Sequence, residues 1–356
     1  MSAAPIHVAL VMAGDEEGGL EKHVIDLANA LPDYDIRTTL ISHPKYGSRL
    51  HKGIGFIGAP LHLGRHNPRA LWSLLSTLRR LRPTILHTQA HKATAMAHAL
   101  RHWLPPAPWV GTVHNLKQRH DMFAHCQVVI GVSQGVANHT GLPRARVIYN
   151  GCPMPDPPSL PDIARFRQEP GVSSTRAFWL AIGRLVPAKA FDVLLDSWAR
   201  LPDAPYLMIA GDGPEASRLR QQRAQLGLRD RVRLLGHRDD APTLLAACDG
   251  VVISSHREGF SYVMAEGLLA RKPVLATRVP GPVEILPDAC LIEPDNPAAM
   301  ATMLQANLAD PTALRTRFVP VWDWAREHLT LPSMVKRYVD LYRELNGAKA
   351  RHAIQR

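Results

Sequence analysis

The sequence predicts an α/β protein of two domains, each with a parallel sheet flanked by helices. Short runs rich in β-branched residues alternate with longer amphipathic stretches along most of the chain, which is typical of strands joined by crossover helices. The 356 residues suffice for two domains of ordinary size, each with its own core. A proline-rich segment separates two such alternating series and indicates where one domain ends and the next begins.

The first series predicts an N-terminal domain over residues 1–152. Its strands are expected near residues 6–12, 36–42, 84–87, 109–113, 128–132 and 146–148. Apolar residues at helical spacing predict helices over residues 20–31 and 71–81. The first apolar run is much shorter than the ~20 residues of a membrane span and is followed at once by acidic residues, so it indicates a strand and not a signal peptide.

Five prolines mark the predicted linker, which spans residues 153–170. They are Pro153, Pro155, Pro157, Pro158 and Pro161, a spacing that excludes a helix interior or a central strand. A second alternating series predicts a C-terminal domain over residues 171–328, beginning with a strand at residues 178–182. The last segment, residues 329–356, is expected to be helical because apolar residues recur at helical spacing between Met334 and Tyr342.

The composition is that of a globular protein, with 46% apolar and 21% charged residues. The four cysteines lack C-x-x-C spacing, so we expect reduced, buried thiols and a cytoplasmic protein. Positive charge is concentrated in the first domain, where residues 1–152 hold 16 Lys and Arg against 8 Asp and Glu, and 14 of the 18 histidines. This distribution predicts an acidic partner, either anionic lipid headgroups or a phosphorylated acceptor, although basic surfaces also occur with no partner.

The basic helix over residues 70–81 allows two interpretations. Its leucines and Trp72, edged by arginines such as Arg69 and Arg79, could seat the protein on the cytoplasmic face of an anionic membrane. The same helix could instead pack on the sheet as an ordinary crossover helix with its arginines in water, and this interpretation is favoured. Nucleic acid is not expected as a partner, because no aromatic stacking platform or known nucleic-acid-binding motif accompanies the charge.

Two glutamates eight residues apart, Glu258 and Glu266, are the strongest functional signal. The apolar run before them predicts a buried parallel strand, and the run after them continues a helix with Ser261 as its N-cap. Ligands of open α/β sheets bind at the carboxyl ends of the strands, and a helix start is a favourable seat for phosphate. Carboxylates on both sides of such a seat can accept hydrogen bonds from a ribose and a sugar, which is the outline of a nucleotide-sugar site.

Residues 254–267 resemble the E-x7-E motif of the retaining glycosyltransferase family 4, which has the GT-B fold. Four further segments resemble motifs of that family in the right order, namely residues 147–151, 183–189, 206–214 and 271–277. The resemblance covers roughly residues 6–330. The chain departs from the family at Ala190 and Arg271, where glycine is usual, and over residues 85–91, where the acidic and histidine residues often seen at the end of the fourth strand are reduced.

This resemblance implies two Rossmann-like domains that face each other across a cleft, with a C-terminal helix that crosses back to the first domain. The nucleotide-sugar donor is expected to bind mainly to the second domain and the acceptor mainly to the first. Closure about the linker is expected to exclude water, which otherwise hydrolyses the donor.

The resemblance also assigns roles in donor binding. Glu266 is expected to bind the ribose hydroxyls and Glu258 a hydroxyl of the transferred sugar. Arg184 and Lys189 are expected to supply positive charge for the departing diphosphate, a role that a metal ion fills in many other transferases. The remaining expected donor contacts are Gly183, Gly211, His237, Gly259 and the backbone N–H groups of Phe260 and Ser261, together with Gly18 and Gly19 of the first domain.

His114 ends a strand of the first domain and matches the family's histidine near the reacting carbon of the sugar. The predicted catalytic set is therefore His114, Glu258, Arg184 and Lys189, and the predicted acceptor contacts are Asp15 and Lys22. The one Asp-x-Asp triplet, residues 33–35, lies between a helix and the next strand, on the side of the sheet away from the strands' carboxyl ends. We therefore expect no metal site and no cofactor.

These features predict a retaining, metal-independent glycosyltransferase that moves a sugar from a nucleoside-diphosphate sugar, with UDP favoured, to a cell-envelope glycan or glycolipid such as lipopolysaccharide core. Two alternatives keep the same fold: a nucleotide-sugar epimerase or hydrolase, and a non-catalytic binding protein. A dinucleotide-dependent enzyme is disfavoured, because the G-x-G-x-x-A match at residues 211–216 lacks an acidic partner about twenty residues further on.

Overall fold

The computed structural model of the chain describes residues 5–154, 159–169, 177–201 and 203–354. The chain divides into two compact units, an N-terminal unit of residues 1–151 with 331–356 and a second unit of residues 152–330. Each unit contains one parallel sheet, in agreement with the predicted α/β class of two Rossmann-like domains. Within the described residues, no helix combines the length and the apolar composition that crossing a bilayer requires.

Seven strands form the sheet of the N-terminal unit. They are β1 (His7–Met12), β2 (Arg37–Ser42), β3 (Gly55–Gly58), β4 (Ile85–Gln89), β5 (Trp109–Val113), β6 (Val128–Gly131) and β7 (Ala145–Val147), in the spatial order β3-β2-β1-β4-β5-β6-β7. The helices that follow β1, β3, β4 and β6 are α1 (Gly19–Ala30), α2 (Pro68–Leu81), α3 (Ala90–Ala99) and α4 (Gln134–His139). Six strands lie where predicted. Strand β3 was not predicted, because its four residues begin and end with glycine and lack the β-branched run that marks the others.

Helix α2 begins at Pro68, three residues before the predicted start, because Asn67 caps it. The side-chain oxygen of Asn67 accepts hydrogen bonds from two backbone N–H groups of the first turn, at 3.0 and 3.3 Å. Leu74 and Leu78 are buried, as the crossover-helix interpretation predicts, whereas Trp72 remains 73% exposed. The helix therefore packs through one face and leaves an aromatic side chain on the surface.

Six strands and eight helices make up the second unit over its described residues. The strands are β8 (Phe178–Ile182), β9 (Tyr206–Ala210), β10 (Val232–Gly236), β11 (Gly250–Ile253), β12 (Val274–Thr277) and β13 (Leu291–Ile292), in the order β10-β9-β8-β11-β12-β13. The helices are α5 (Leu160–Arg167), α6 (Phe191–Ala199), α7 (Ala216–Gln225), α8 (Ala241–Ala247), α9 (Tyr262–Leu269), α10 (Pro282–Ile285), α11 (Pro297–Leu308) and α12 (Pro311–His328). This order places β8 beside β11, although the two strands are far apart in sequence.

Helix α5 corrects the prediction of a linker over residues 153–170. Ser159 caps this helix, and Pro161 lies in its first turn, where a missing N–H group costs nothing. The helix packs against α8 of the second unit, and Phe166 at its end is 2% exposed. Most of the second half of the predicted linker is therefore part of a folded unit, whereas Pro155, Pro157 and Pro158 lie outside the described residues.

The last helix, α13 (Leu331–Ile354), belongs to the N-terminal unit, as predicted. The side chains of Met334, Val335, Tyr338, Val339 and Tyr342 are fully buried in the same core as β1 and α1. The chain thus leaves the N-terminal unit after residue 151 and returns to it at Leu331. All four cysteines are buried free thiols, also as predicted.

Candidate active site

Two loops of the second unit meet at the carboxyl ends of β8 and β11. The Lys189 ammonium lies 2.5 Å from a Glu258 carboxylate oxygen. The Ser254 hydroxyl donates to the Lys189 carbonyl at 2.8 Å, and the His256 N–H donates to the Ala188 carbonyl at 3.0 Å. Because β8 and β11 are neighbours in the sheet, the loops that follow them lie side by side. Side-chain and backbone contacts join these two loops, both of which contain predicted site residues.

Glu258 is held in this position by a second donor. The Ser255 hydroxyl lies 2.7 Å from the same carboxylate oxygen that contacts Lys189. The side chain of Glu258 is only 11% exposed and that of Lys189 only 26% exposed, so their attraction is stronger than that of a surface ion pair. Lys189, Glu258 and Ser261 line a cavity of about 10 Å³, which is room for one water molecule.

The helix after Glu258 starts as predicted. The Ser261 hydroxyl accepts a hydrogen bond from the Met264 N–H at 3.3 Å, which caps α9. Phe260 is 7% exposed, so its side chain belongs to the core and only its backbone is suited to a ligand. Glu266 lies in the second turn of α9 and is half-buried.

A larger cavity of about 260 Å³ opens beside the first, and Ile182 lines both. Four predicted donor contacts line it, namely Gly183, Arg184, Gly211 and His237, together with Asp212 and Arg238. Its apolar lining comes from residues such as Ala210 and Leu244. Apolar and charged side chains thus line the cavity together, a combination typical of sites that bind small polar molecules.

Gly211 has a packing role that the motif alone does not reveal. Its φ is +144°, and a Cβ atom there would lie 1.9 Å from the Gly183 carbonyl oxygen. The Gly183 N–H in turn donates to the Ala210 carbonyl at 3.0 Å. Glycine at position 211 therefore lets the loops after β8 and β9 approach closely enough to form one wall of the cavity.

Arg238 makes more contacts than its neighbour His237, which was predicted to bind the donor. The side chain of His237 is 73% exposed and contacts the Asp239 carboxylate at 3.0 Å. Arg238, which the sequence analysis did not select, has a side chain only 22% exposed and binds the carboxylates of both Asp240 and Glu169. No sequence signal could have found the second contact, because Glu169 lies 69 residues earlier in the chain.

His114 follows β5 in the N-terminal unit and is buried. Its Nε2 atom lies 2.9 Å from Gln89 Oε1, and its ring meets the His23 ring edge to face at 4.9 Å. Burial lowers the pKa of His114 well below 6.5, and the neighbouring histidines lower it further. His114 is therefore neutral at physiological pH.

Gln89 connects His114 to a buried polar network that includes α13. The Gln89 amide lies 3.1 Å from His87 Nε2. The His87 ring also lies 2.6 Å from the Tyr342 hydroxyl and 2.7 Å from the Thr112 hydroxyl. Residues 85–91 depart from the family pattern, and Gln89 at this strand end supplies the contact that orients His114.

The loop after β1 carries Asp15 and Gly18, and the first turn of α1 carries Gly19 and Lys22. Gly18 precedes α1 in an extended conformation, and a Cβ atom there would meet only the Glu21 carboxylate, at 3.5 Å. The backbone therefore does not require glycine at this position, and the predicted contact of Gly18 with the donor stays a prediction. The Asp15 carbonyl accepts a hydrogen bond from the Lys45 ammonium, and Lys22 pairs with Asp26 on α1 at 3.2 Å.

The Asp-x-Asp triplet lies where the sequence analysis places it. Asp33 belongs to a 3₁₀ turn, Leu31–Tyr34, between α1 and β2, and Asp35 follows it with a left-handed backbone. This turn precedes β2 and so lies away from the carboxyl ends of the strands. Within the described ranges, no group of three or more His, Cys, Asp or Glu side chains is arranged to hold a metal ion.

Family models match both parts of the chain. Residues 17–154 match the model described as "Glycosyltransferase Family 4". Residues 162–320 match the model described as "Glycosyl transferases group 1". The two matches fall on the N-terminal and the second unit respectively.

Curated relatives and solved structures are similar over nearly the whole chain. The lipopolysaccharide core biosynthesis glycosyltransferase LpsE of Rhizobium meliloti is 27% identical over 346 residues, covering 94% of this chain and 97% of the relative. LpsD of the same organism is 26% identical over 345 residues, covering 92% of this chain and 95% of the relative. The crystal structure of Anabaena Alr3699/HepE in complex with UDP-glucose superposes with a TM-score of 0.82 at 22% identity, over 96% of this chain and 100% of that chain.

Proposed function

Since the chain belongs to the GT-B glycosyltransferases of the family 4 type, we propose that it transfers a sugar from a UDP-sugar with retention of configuration and without a metal ion. The observation that carries this proposal is the contact between Lys189 and Glu258 beside the capped start of α9 and the 260 Å³ cavity. A cation, a carboxylate and a helix N-terminus at one sheet edge suit a diphosphate flanked by hydroxyl groups.

Stabilising the departing diphosphate is the main chemical task of such a site. Negative charge grows on the phosphate oxygen as the glycosidic bond breaks, and prearranged positive groups lower the barrier most effectively. Lys189, Arg184 and the N-terminus of α9 supply those groups from the protein itself. The same phosphate oxygen then accepts the acceptor's proton on the face from which it leaves, which accounts for retention without a protein nucleophile.

Glu258 and Glu266 bind hydroxyl groups in this proposal. Glu258 accepts hydrogen bonds from the transferred sugar once the diphosphate takes over the positive charge of Lys189. Glu266, in the second turn of α9, accepts hydrogen bonds from the ribose. Neither carboxylate needs to attack the sugar.

His114 acts as a neutral hydrogen-bonding group toward the transferred sugar. Gln89 Oε1 accepts the proton of Nε2, so Nδ1 carries the lone pair and accepts from a sugar hydroxyl. A neutral imidazole adds no positive charge next to the carbon where positive charge develops.

The acceptor that we propose is a lipid-linked glycan such as lipopolysaccharide core. LpsE and LpsD, which match this chain along nearly their whole length, are named for that pathway. Residues 36–120 contain 13 Lys and Arg and no Asp or Glu. The exposed side chains of Trp72 and Trp103 belong to this acid-free segment, which suits contact with an anionic membrane on the cytoplasmic face.

A panel of nucleotide sugars tests the proposal. We expect UDP-sugars to raise the melting temperature more than GDP-, ADP- or TDP-sugars, because a ligand that binds the folded state stabilises it. Transfer to extracted core glycolipid should persist in EDTA, and NMR should show the donor's anomeric configuration in the product. Rapid conversion of the donor without acceptor would instead identify an epimerase or hydrolase, and no turnover with any donor would identify a binding protein.

Glu266→Ala gives the residue-level test. We expect this variant to lose transfer and to bind UDP more weakly, while its melting temperature without ligand stays near that of the wild type. The matched control is Glu327→Ala, which changes a carboxylate that is 79% exposed on α12. Wild-type turnover by Glu266→Ala would contradict the assignment.

A further inference from the structure

Two carboxylates and an aromatic ring hold the side chain of Arg238 in the lining of the larger cavity. Its Nε and Nη2 atoms donate to the two oxygens of Asp240 at 2.7 and 2.6 Å. Its Nη1 and Nη2 atoms donate to the two oxygens of Glu169 at 3.1 and 2.8 Å. The guanidinium also lies over the Phe166 ring, 5.7 Å from its centre.

Four of the five N–H groups of this guanidinium are thus occupied, since an arginine has five donors in a fixed plane. Nε uses its only hydrogen, Nη2 uses both of its hydrogens, and Nη1 uses one. One N–H group remains on Nη1. Arg238 lines the cavity, and its contacts with Asp240 and Glu169 fix the plane in which this N–H group lies.

The clamp on Arg238 comes from the segment that the sequence analysis assigns to the linker. Glu169 lies two residues after the end of α5. Phe166 in the last turn of α5 packs against Phe178 of β8 with ring centres 5.9 Å apart. Helix α5 is therefore anchored in the core of the second unit. An ion pair with a forked geometry on both sides holds an arginine more rigidly than a single contact does.

We propose that Glu169 is a positioning residue for nucleotide binding, and that it holds Arg238 so that the remaining N–H group recognises a base with an exocyclic carbonyl oxygen, such as uracil. This inference rests on the proposed function, because it assumes that the cavity takes the nucleoside of the donor. A fixed donor favours carbonyl oxygen and disfavours the exocyclic amino group of adenine, which would leave two donors facing each other. Arg184 and Lys189 bind the diphosphate, so base and phosphate are recognised by separate groups.

Calorimetric titration with UDP, ADP and inorganic pyrophosphate separates the two kinds of contact. Glu169→Gln should weaken UDP binding by about tenfold, the order expected for misplacing one charge-assisted hydrogen bond, and leave pyrophosphate binding unchanged. Arg238→Met should reduce the ratio of UDP to ADP affinity toward one. The control is Arg165→Gln, which removes an exposed ion pair with Asp162 on the same helix and should change neither affinity.

Three results would overturn the inference. Glu169→Gln could lower UDP and pyrophosphate affinity equally, which indicates general loosening of the unit. It could leave UDP affinity unchanged, or the wild type could prefer ADP over UDP. If the wild type binds no nucleoside diphosphate at all, the proposed function fails together with this inference, whereas intact UDP binding that does not respond to Glu169 removes this inference alone.

Discussion

Ala190 and Arg271 occupy the two positions where the related family usually has glycine, and both have a left-handed backbone, with φ of 49° and 56°. Arg271 follows the end of α9, and the Lys272 N–H donates back to the Gly267 carbonyl at 2.9 Å. This is the hydrogen bond of a helix end that normally selects glycine. Both residues therefore have a backbone conformation that glycine adopts more easily than any other residue.

Arg271→Gly should stabilise the second unit. A non-glycine residue in the left-handed region costs roughly 1 kcal/mol, while the lost contact of Arg271 with the Trp322 ring, 5.1 Å away, offsets part of the gain. We expect the free energy of unfolding in urea to rise by about 0.5 kcal/mol. Arg271→Gln loses the ring contact but keeps the strained backbone, so it should be less stable than Arg271→Gly, and the reverse order would argue against strain.

The contact between Lys189 and Glu258 predicts that one substitution changes UDP binding and sugar transfer in opposite directions. Glu258→Gln removes the carboxylate that attracts the Lys189 ammonium, so Lys189 becomes more available to phosphate. We expect this variant to bind UDP more tightly than the wild type, yet to lose transfer by a hundredfold or so because the sugar hydroxyl loses its acceptor. Lys189→Met should weaken both UDP binding and transfer. Fluorescence titration with UDP measures the first effect, and weaker UDP binding by Glu258→Gln would count against the competition.

At the scale of elements, helix α2 has one side buried in the N-terminal unit and one side exposed. Leu74 and Leu78 are buried, whereas Trp72 and Arg79 lie two turns apart on the exposed side. The Arg79 guanidinium donates to the Trp103 carbonyl at 3.0 Å, which ties the loop after α3 to this helix. Two exposed tryptophans and several arginines therefore share one region of the N-terminal unit.

This region predicts binding to anionic vesicles. Replacing both Trp72 and Trp103 by serine should weaken binding to phosphatidylglycerol vesicles by at least about tenfold, because each ring loses its burial at the lipid interface. Cosedimentation measures the bound fraction, and neutral phosphatidylcholine vesicles should bind poorly in all cases. Val319→Ser, which changes an apolar side chain 42% exposed in the second unit, is the control. Equal vesicle binding by the double variant and this control would exclude the proposed surface.

At the scale of the whole molecule, the N-terminal unit holds a set of buried neutral histidines. Burial lowers the pKa of His23 and of His91 to about 4, and lowers the pKa of His87 and His114 well below 6.5. At these four histidines, the unfolded chain therefore binds more protons than the folded chain between pH 6.5 and pH 4. Their contribution makes stability fall as the pH falls through that window.

Urea unfolding at pH 7.5 and pH 5.0 measures this dependence. A histidine whose pKa drops from 6.5 to about 4 on folding costs roughly 2 kcal/mol of stability at pH 5 relative to neutral pH. His23→Gln should therefore lose less stability on acidification than the wild type does, even if it is less stable at pH 7.5. His237→Gln, which changes an exposed ring, should keep the wild-type dependence. An unchanged pH dependence in His23→Gln would refute the role of burial.

The sequence by itself determined the fold class, most strand positions, the cap at Ser261 and the return of the last helix, because these follow from local periodicity and local hydrogen bonding. It also predicted that Lys189 and Glu258, each after a predicted strand, belong to one donor-binding site. Only the tertiary structure decided that they touch, because the order of strands in the sheet places β8 beside β11. The same reason hides the Glu169 clamp on Arg238 and the link from His114 through Gln89 to α13, since contacts between distant segments leave no local pattern in the chain.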